Sequence, residues 1–334
     1  MSILVTGGAG FIGSHTCVEL LNEDFDIVVI DDFSNSDMEA IKSVEKITGK
    51  QVKFYEGDVK DKSLLDKIFT ENDIVSVIHF AAYKAVGESV SKPLKYYENN
   101  LETTIHLLEA MDKHNCRNIV FSSSATVYGK PETLPITEES SLSTTNPYGT
   151  TKLMTEQILE DVAKSDDKWN IVILRYFNPI GAHESGLIGE NPKDIPNNLM
   201  PYIVKVATKE LEVLSVFGND YDTHDGTGVR DYIHVVDLAK GHVKSIEKIK
   251  ELNGVSYFNL GTGEGYSVLD LVNTFSKVNN VNVDYKIVER RPGDIDACFA
   301  DTKKAFHELG FKTTKSIEDM CRDSYQYAVK FSSK

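Results

Sequence analysis

The chain has 334 residues, 41% of them apolar and 26% charged, a balance that excludes wholesale disorder and supports a large buried core. Acidic residues number 51 against 36 basic ones, a formal charge of −15, which disfavours nucleic acid and anionic membranes as partners. No apolar run reaches the ~18 residues of a membrane-spanning helix, the N-terminus lacks a signal-peptide layout, and Cys17, Cys116, Cys298 and Cys321 have no metal-ligand spacing; a cytoplasmic chain without disulfides is expected.

In chain order, short β-branched runs alternate with amphipathic stretches. Strands are predicted over 3–5, 27–30, 52–55, 75–79, 118–121 and 171–174, and helices over 12–22, 62–71 and 93–115. Strand–helix–strand alternation predicts an α/β fold of Rossmann type, a doubly wound parallel sheet covered by helices on both faces. From Pro179 the texture changes, and 181–198 is rich in Gly, Pro and Asn, suited to a ligand-holding loop. The expected division is a first domain over 1–178 and a smaller C-terminal α/β domain over 179–334. Segments near 230–262, such as Tyr257-Phe258-Asn259-Leu260, are expected to return to the first sheet.

Thr6-Gly7-Gly8-Ala9-Gly10-Phe11-Ile12-Gly13 lies between the first strand and the first helix. Gly7 permits the tight turn, Gly10 a close backbone approach to pyrophosphate, and Gly13 close packing of helix on strand, with the phosphates at the positive helix end. Asp31, followed by Asp32, ends the second strand. A carboxylate there accepts from ribose hydroxyls and repels a 2′-phosphate, so the expected cofactor of the first domain is NAD. Asp58, after the third strand, reads either as an adenine contact or as the cap of the following helix.

Tyr148 and Lys152 are four residues apart on a predicted helix and share a face. An ammonium beside a phenol, with a positive nicotinamide nearby, is expected to lower the tyrosine pKa from ~10 towards neutrality and make it a base. Ser124 follows the strand 118–121, where a hydroxyl can hold a substrate oxygen.

The order of glycine loop, Asp31, Ser124, Tyr148 and Lys152 resembles the extended short-chain dehydrogenase/reductase family, and more narrowly its UDP-glucose 4-epimerase branch. The resemblance runs through Val86-Gly87-Glu88-Ser89-Val90, through 121–129, and through Leu174-Arg175-Tyr176-Phe177-Asn178-Pro179. It continues in Ile195-Pro196-Asn197-Asn198-Leu199-Met200-Pro201, Val216-Phe217-Gly218-Asn219-Asp220-Tyr221 and 225–235.

The resemblance implies reversible 4-epimerisation of UDP-galactose and UDP-glucose on permanently bound NAD. Tyr148 is then the base, Lys152 its electrostatic partner and Ser124 the holder of the reacting oxygen. Phe11, Ile12, Asn35, Ser36, Val59, Phe80, Ala81, Lys84, Asn99, Ser122, Tyr176 and Phe177 join the glycines, Asp31, Asp32 and Asp58 on the cofactor side; Phe80 and Ala81 also suit plain sheet packing. Residues 179–334 become the UDP-sugar domain. There Arg230 and Arg291 can fork onto diphosphate oxygens, with Asn178, Asn198 and Leu199 beside them, Phe217 near uracil, Asp294 on the uridine ribose and Ser215 among the substrate contacts. Lys84 and Tyr148 are shared with the substrate.

Cys298 stands where epimerases restricted to plain sugars carry tyrosine, which implies that UDP-GalNAc and UDP-GlcNAc are accepted too. Dehydration at C4 to C6 needs an acid pair after the serine position, where this chain has Ala125 and Thr126. The rival readings are another NAD-dependent nucleotide-sugar oxidoreductase and a non-enzymatic NAD sensor. No metal is implied, since the nine histidines form no HExxH motif. The helices 96–114 and 148–162 carry apolar stripes, Leu101, Ile105 and Leu108 in one and Leu153, Ile158 and Leu159 in the other, which suit ordinary packing on the sheet or, as the resemblance implies, a homodimer built from two such helices per subunit.

Overall fold

The computed structural model describes residues 1–191, 198–291 and 293–332. Its first half alternates β1 (Ser2–Thr6), α1 (Phe11–Asn22), β2 (Asp26–Asp31), α2 (Met38–Thr48), β3 (Lys53–Glu56), α3 (Lys62–Glu71) and β4 (Ile74–His79). Then come α4 (Val86–Ser91), α5 (Pro93–Lys113), β5 (Asn118–Ser122), α6 (Pro147–Ser165) and β6 (Asn170–Tyr176). The second half holds β7 (Asn178–Ile180), α7 (Leu199–Ala207), β8 (Leu214–Phe217), β9 (Val229–Arg230), β10 (Tyr232–His234), α8 (Val235–Lys248) and β11 (Gly254–Leu260). It ends with β12 (Tyr266–Ser267), α9 (Val268–Asn279), β13 (Tyr285–Val288), β14 (Ala297–Cys298) and α10 (Ile317–Ser332).

The β-branched runs become strands because both of their faces are buried. Within β1, Leu4 packs into the cluster under α3, α5 and α6, while its neighbour Val5 packs into the opposite cluster under α1, α2 and α8. Each such aliphatic side chain, fully removed from water, contributes about 1.5–3 kcal/mol. Seven parallel strands result, in the order β3-β2-β1-β4-β5-β6-β11, which is the doubly wound sheet read from the sequence. The chain returns to this sheet after an excursion: Gly254–Leu260 pairs along β6 from Asn170 to Tyr176.

The order places a ligand crevice. Successive strands run outward from β1 to β3, and β4 then reverses direction to lie on the other side of β1. At such a reversal the connections leave in opposite directions and open a gap at the carboxyl ends. Thr6 is in register with both Ile30 and His79, so the loop after β1 lies between Asp31 and Phe80.

Helix starts carry the expected chemistry with one correction. Asp61, not Asp58, caps α3, accepting from the amides of Ser63 and Leu64 at 2.9 and 3.1 Å. Asp58 instead accepts from Lys60 N at 2.8 Å, which leaves the adenine reading open. Asn146 caps α6 through Gly149 N at 2.9 Å, with Pro147 in its first turn.

The remaining strands form small sheets of two or three, β7 with β10, β9 with β12 and β14, and β8 with β13, around a separate apolar cluster contributed by α7, α9 and α10. The proposed dimer stripes divide. Leu108 and Leu159 are buried in the sheet-facing core and Ile158 packs against it, whereas Ile105 stays exposed. No described helix is long and apolar enough to cross a membrane.

Candidate active site

The loop after β1 is shaped by what cannot fit beside it. Gly7 has φ +69°, and a Cβ there would come 2.9 Å from Ala81 N; one on Gly13 would come 2.2 Å from Gly7 O. Gly10 begins α1 with no side-chain cap and no acid in the first turn, so the helix presents uncapped amides and its positive end to the cleft. Asp31 braces this loop from behind. Its Oδ2 accepts from Ala9 N at 3.0 Å, while Oδ1 accepts from Phe33 N at 3.0 Å and Ser36 Oγ at 2.6 Å. Burial pushes its carboxyl up despite these donors.

An open cleft of about 1560 Å³ runs along the carboxyl ends of the strands. Of the residues expected on the cofactor, Gly7, Gly10, Phe11, Ile12, Gly13, Asp31, Asp32, Asn35, Ser36, Asp58, Val59, Phe80, Ala81, Lys84, Asn99, Tyr148, Lys152 and Tyr176 all line it. Ser122 and Phe177 lie behind the wall: Ser122 meets His242 Nε2 at 3.3 Å, and Phe177 packs with Val127, Tyr128 and Ile136. The far wall is supplied by Leu187 to Asn191, inside the 181–198 loop expected to hold a ligand, and by Tyr327 and Phe331 of α10. Nothing local in the sequence marks the two aromatic residues, because only the tertiary fold brings the last helix here.

Tyr148 and Lys152 share the buried face of α6. Lys152 Nζ donates to Ser122 O at 2.7 Å and lies 4.8 Å from the centre of the Phe121 ring and 6.0 Å from that of Tyr148. The expected fall in the tyrosine pKa is not present in the chain alone. Burial pushes the Tyr148 phenol well above its ordinary value, and burial pushes Lys152 down to about 7. Both groups leave water, and the ammonium is directed to a carbonyl, so no fixed cation favours the phenolate. Ser124 and Tyr176 are the hydroxyl neighbours of the phenol, and Ser124 Oγ also accepts from Thr126 N at 3.2 Å, starting the single turn Ala125–Tyr128. Ala125 and Thr126, which sit in that turn, provide no acid.

The substrate-side residues gather elsewhere, mainly outside the cleft wall. Asn178 N donates to Asp231 O at 3.0 Å, fixing β7 beside β10. Arg230 is in register with Cys298 on adjacent strands and donates Nη1 to Val229 O and Ile295 O. Ser215 and Phe217 lie on β8; the Arg291 guanidinium is 4.7 Å from the centre of the Phe217 ring and pairs with Asp294 at 3.1 Å. Asn198 precedes α7, which Leu199 opens, and Asn198 Nδ2 and Lys84 Nζ converge on Glu190 Oε1 at 2.9 and 3.2 Å. The 195–197 part of the resembling segment and Pro292 lie outside the described residues. Cys298 is half-buried against the cluster of Tyr128, Phe177 and Ala300, and burial pushes its thiol up to about 11.

One His/acid group also escaped sequence spacing: His224, Asp225 and Asp270 approach one another, but both carboxylates are engaged, Asp225 by Thr227 and Ser267 and Asp270 by the Ser267 amide.

A family profile described as GDP-mannose 4,6 dehydratase matches residues 4–324. The UDP-glucose 4-epimerase of Bacillus subtilis is 61% identical over 98% of this chain and 96% of its own length. Among solved structures, the UDP-glucose 4-epimerase of Bifidobacterium longum in complex with NAD+ and UDP superposes with a TM-score of 0.95 at 58% identity, covering 99% of this chain and 98% of that one. That of Stenotrophomonas maltophila with bound NAD and formylated UDP-arabinopyranose gives 0.98 at 46% identity, covering 100% and 99%.

Proposed function

This chain belongs to the UDP-glucose 4-epimerases of the extended short-chain dehydrogenase/reductase family, and from that premise we infer how its residues divide the work. It is an isomerase that interconverts UDP-galactose and UDP-glucose by transient oxidation at C4, with NAD as cofactor. The cleft fits that cofactor: the Gly7 to Gly13 loop has space that side chains would fill, the α1 amides are uncapped, and Asp31 closes the far end. Bound NAD supplies reversible two-electron chemistry at C4 and is returned unchanged.

The observation that carries the reading is that Tyr148, with Lys152 beside it and Ser124 facing it, opens onto the same cleft as the glycine loop. Tyr148 takes the proton of the 4-hydroxyl and later returns it. Lys152 stands beside the phenol with its ammonium on Ser122 O, adding to the charge a bound nicotinamide would bring, and Ser124 hydrogen-bonds the reacting oxygen. Residues 1–178 hold the cofactor, with β11 completing their sheet, and 179–334 hold the UDP-sugar. Arg230 and Arg291 anchor the diphosphate, with Asn178, Asn198 and Leu199 beside it. Phe217 and Ser215 border the base, and Asp294 the ribose. Tight anchoring of the nucleotide leaves the hexose free to turn and present its other face.

Cys298 leaves room beside the sugar for an acetamido group, so UDP-GlcNAc and UDP-GalNAc are substrates as well. Exposed Leu94 and Ile105 on α5 and Met154 on α6 are the apolar surface of a homodimer in which each subunit contributes two helices. Four free cysteines suit the reducing cytoplasm.

The decisive test is to incubate the purified protein with UDP-galactose without added NAD. Formation of UDP-glucose supports the reading, and its absence from protein shown to contain NAD overturns it.

A further inference from the structure

Behind Lys152, one helical turn further along α6, lies a charged pair that none of these steps uses. Arg175, the residue before Tyr176 on β6, donates Nη2 to Glu156 Oε2 at 2.7 Å and Nε to both carboxylate oxygens at 3.1 and 3.2 Å. Only 3% of the Arg175 side chain and 2% of that of Glu156 meet solvent. The buried Ser123, directly before Ser124, donates its hydroxyl to Glu156 Oε1 at 2.5 Å. On its other side Arg175 Nη1 reaches Tyr128 Oη at 3.1 Å and Glu138 O at 3.2 Å, and Tyr128 donates to Asn259 Oδ1 at 2.7 Å. One carboxylate therefore joins the helix carrying Tyr148 and Lys152, the strand end carrying Ser122 to Ser124, and the strand carrying Tyr176.

Buried ion pairs are poor stabilisers, because desolvation consumes most of the attraction and an apolar replacement of similar volume is often as good. This one lies behind the reacting groups, inside a buried polar network that includes Ser123, Tyr128 and Asn259. We propose that Glu156 and Arg175 are positioning residues for the epimerisation, setting the potential at Lys152 and Tyr148 as a charge-balanced pair while the Ser123 link aims Ser124. The proposal rests on the reading of Tyr148 as the base.

The groups facing Lys152 are Tyr148 and Glu156 on its own helix, Phe121 and Ser122 on β5 and His79 on β4, with Arg175 of β6 behind Glu156 and Tyr176 beside Tyr148. His79 is held between the hydroxyls of Thr6 and Thr104, and burial keeps it neutral near pH 7. The field of Glu156 favours the Lys152 ammonium against burial. Arg175 offsets that field, so removing either partner unbalances it in opposite senses.

The test measures kcat against pH on the NAD-loaded enzyme for Glu156→Gln, Arg175→Met and the double variant. Alongside it, tyrosinate absorbance is titrated for each protein against the same protein carrying Tyr148→Phe, which reports the proton without turnover. Glu156→Gln leaves a lone cation and moves the titrations of Tyr148 and Lys152 down by about one pH unit; Arg175→Met leaves a lone anion and moves them up by a similar amount. The double variant returns close to the parent. Ser123→Ala changes no charge and lowers kcat about tenfold at constant KM. Shifts of the same sign in both single variants overturn the proposal. So do unmoved titrations with an unchanged kcat in Ser123→Ala, which would reduce the pair to a structural role. Full activity of Tyr148→Phe would instead overturn the assignment of the base. If one single variant fails to fold, the sign of the shift in the other and the kcat of Ser123→Ala still decide.

Discussion

Lys152 directs its ammonium to the Ser122 carbonyl, 2.7 Å away, and reaches Tyr148 only across the ring, 6.0 Å from its centre. In the chain alone the two groups are therefore a neutral phenol and a weakened ammonium, both displaced by burial. On the proposed reading of Tyr148 as the base, a raised pKa works poorly at neutral pH, so the charge that releases it would arrive with the nicotinamide. The expected outcome is that adding NAD to cofactor-free protein lowers the Tyr148 pKa by several units, read as tyrosinate absorbance absent from Tyr148→Phe. The same variant should lose about a hundredfold or more in kcat while keeping its circular dichroism spectrum and bound NAD. An unmoved tyrosine titration, or near-parental turnover of Tyr148→Phe, would count against the base.

Asp31 has two tasks, and a substitution separates them. Its carboxylate holds Ala9 N, Phe33 N and Ser36 Oγ as well as facing the cleft. Asp31→Ala leaves two loop amides without their acceptor, at a cost of about 1–3 kcal/mol each where water cannot replace it. Asp31→Asn keeps an acceptor oxygen but removes the charge that repels a 2′-phosphate. We expect Asp31→Ala to lower both the unfolding midpoint and NAD retention. Asp31→Asn should keep most of the stability and narrow the preference for NAD over NADP, measured by titrating both dinucleotides. Loss of stability in both variants with an unchanged preference would make Asp31 a brace alone.

How much was legible in advance follows from the same residues. The glycine loop, the strand runs and the Tyr148/Lys152 spacing are local patterns, so periodicity revealed the parallel sheet and motif order placed the glycine loop, Asp31, Tyr148 and Lys152, while the other expected cleft residues came from the family resemblance. The sign of the Tyr148 shift was not legible, because it depends on burial rather than on the spacing of two side chains. The choice between Asp58 and Asp61 as cap turned on backbone geometry three residues apart. Tyr327 and Phe331 belong to the last helix, and the convergence of Lys84 and Asn198 on Glu190 spans more than a hundred residues. For Leu108 and Leu159 the sequence left sheet packing and a partner open, and the fold covers both with the sheet, because an apolar stripe does not say what covers it.

Three buried histidines make folding sensitive to acid. Burial lowers His15 and His79 to about 3 and His242 to about 4, from 6.5. The unfolded chain takes up protons that the fold refuses, so stability is complete above pH ~6.5 and falls as pH drops towards ~4. The slope is about 1.4 kcal/mol per pH unit for each histidine. Urea unfolding at saturating NAD should therefore show a clearly lower midpoint at about pH 5.5 than at about pH 7.5. A His242→Gln variant, compared with its own neutral-pH midpoint, should lose about a third of the histidine contribution to that slope. Equal midpoints at the two pH values would show that these rings are protonated within the fold.

The last prediction concerns sugar choice. Cys298 is in register with Arg230, the proposed diphosphate anchor, and rests half-buried against Tyr128 and Phe177. On the proposed reading, a residue at that point on the strand would sit at a fixed distance from the anchored nucleotide, and its size would set the space left for a substituent on the hexose. A thiol there would leave room for an acetamido group, whereas a phenol ring extends several ångströms further along the same direction. Cys298→Tyr should lower kcat/KM for UDP-GlcNAc and UDP-GalNAc by about tenfold or more, while changing that for UDP-glucose and UDP-galactose by no more than a few-fold. Steric exclusion acts on one substrate pair, whereas general damage to the strand would act on both, so the ratio of the two kcat/KM values is the quantity to measure. An unchanged ratio in Cys298→Tyr would mean that the space beside the sugar is set by other groups, and that Cys298 only packs.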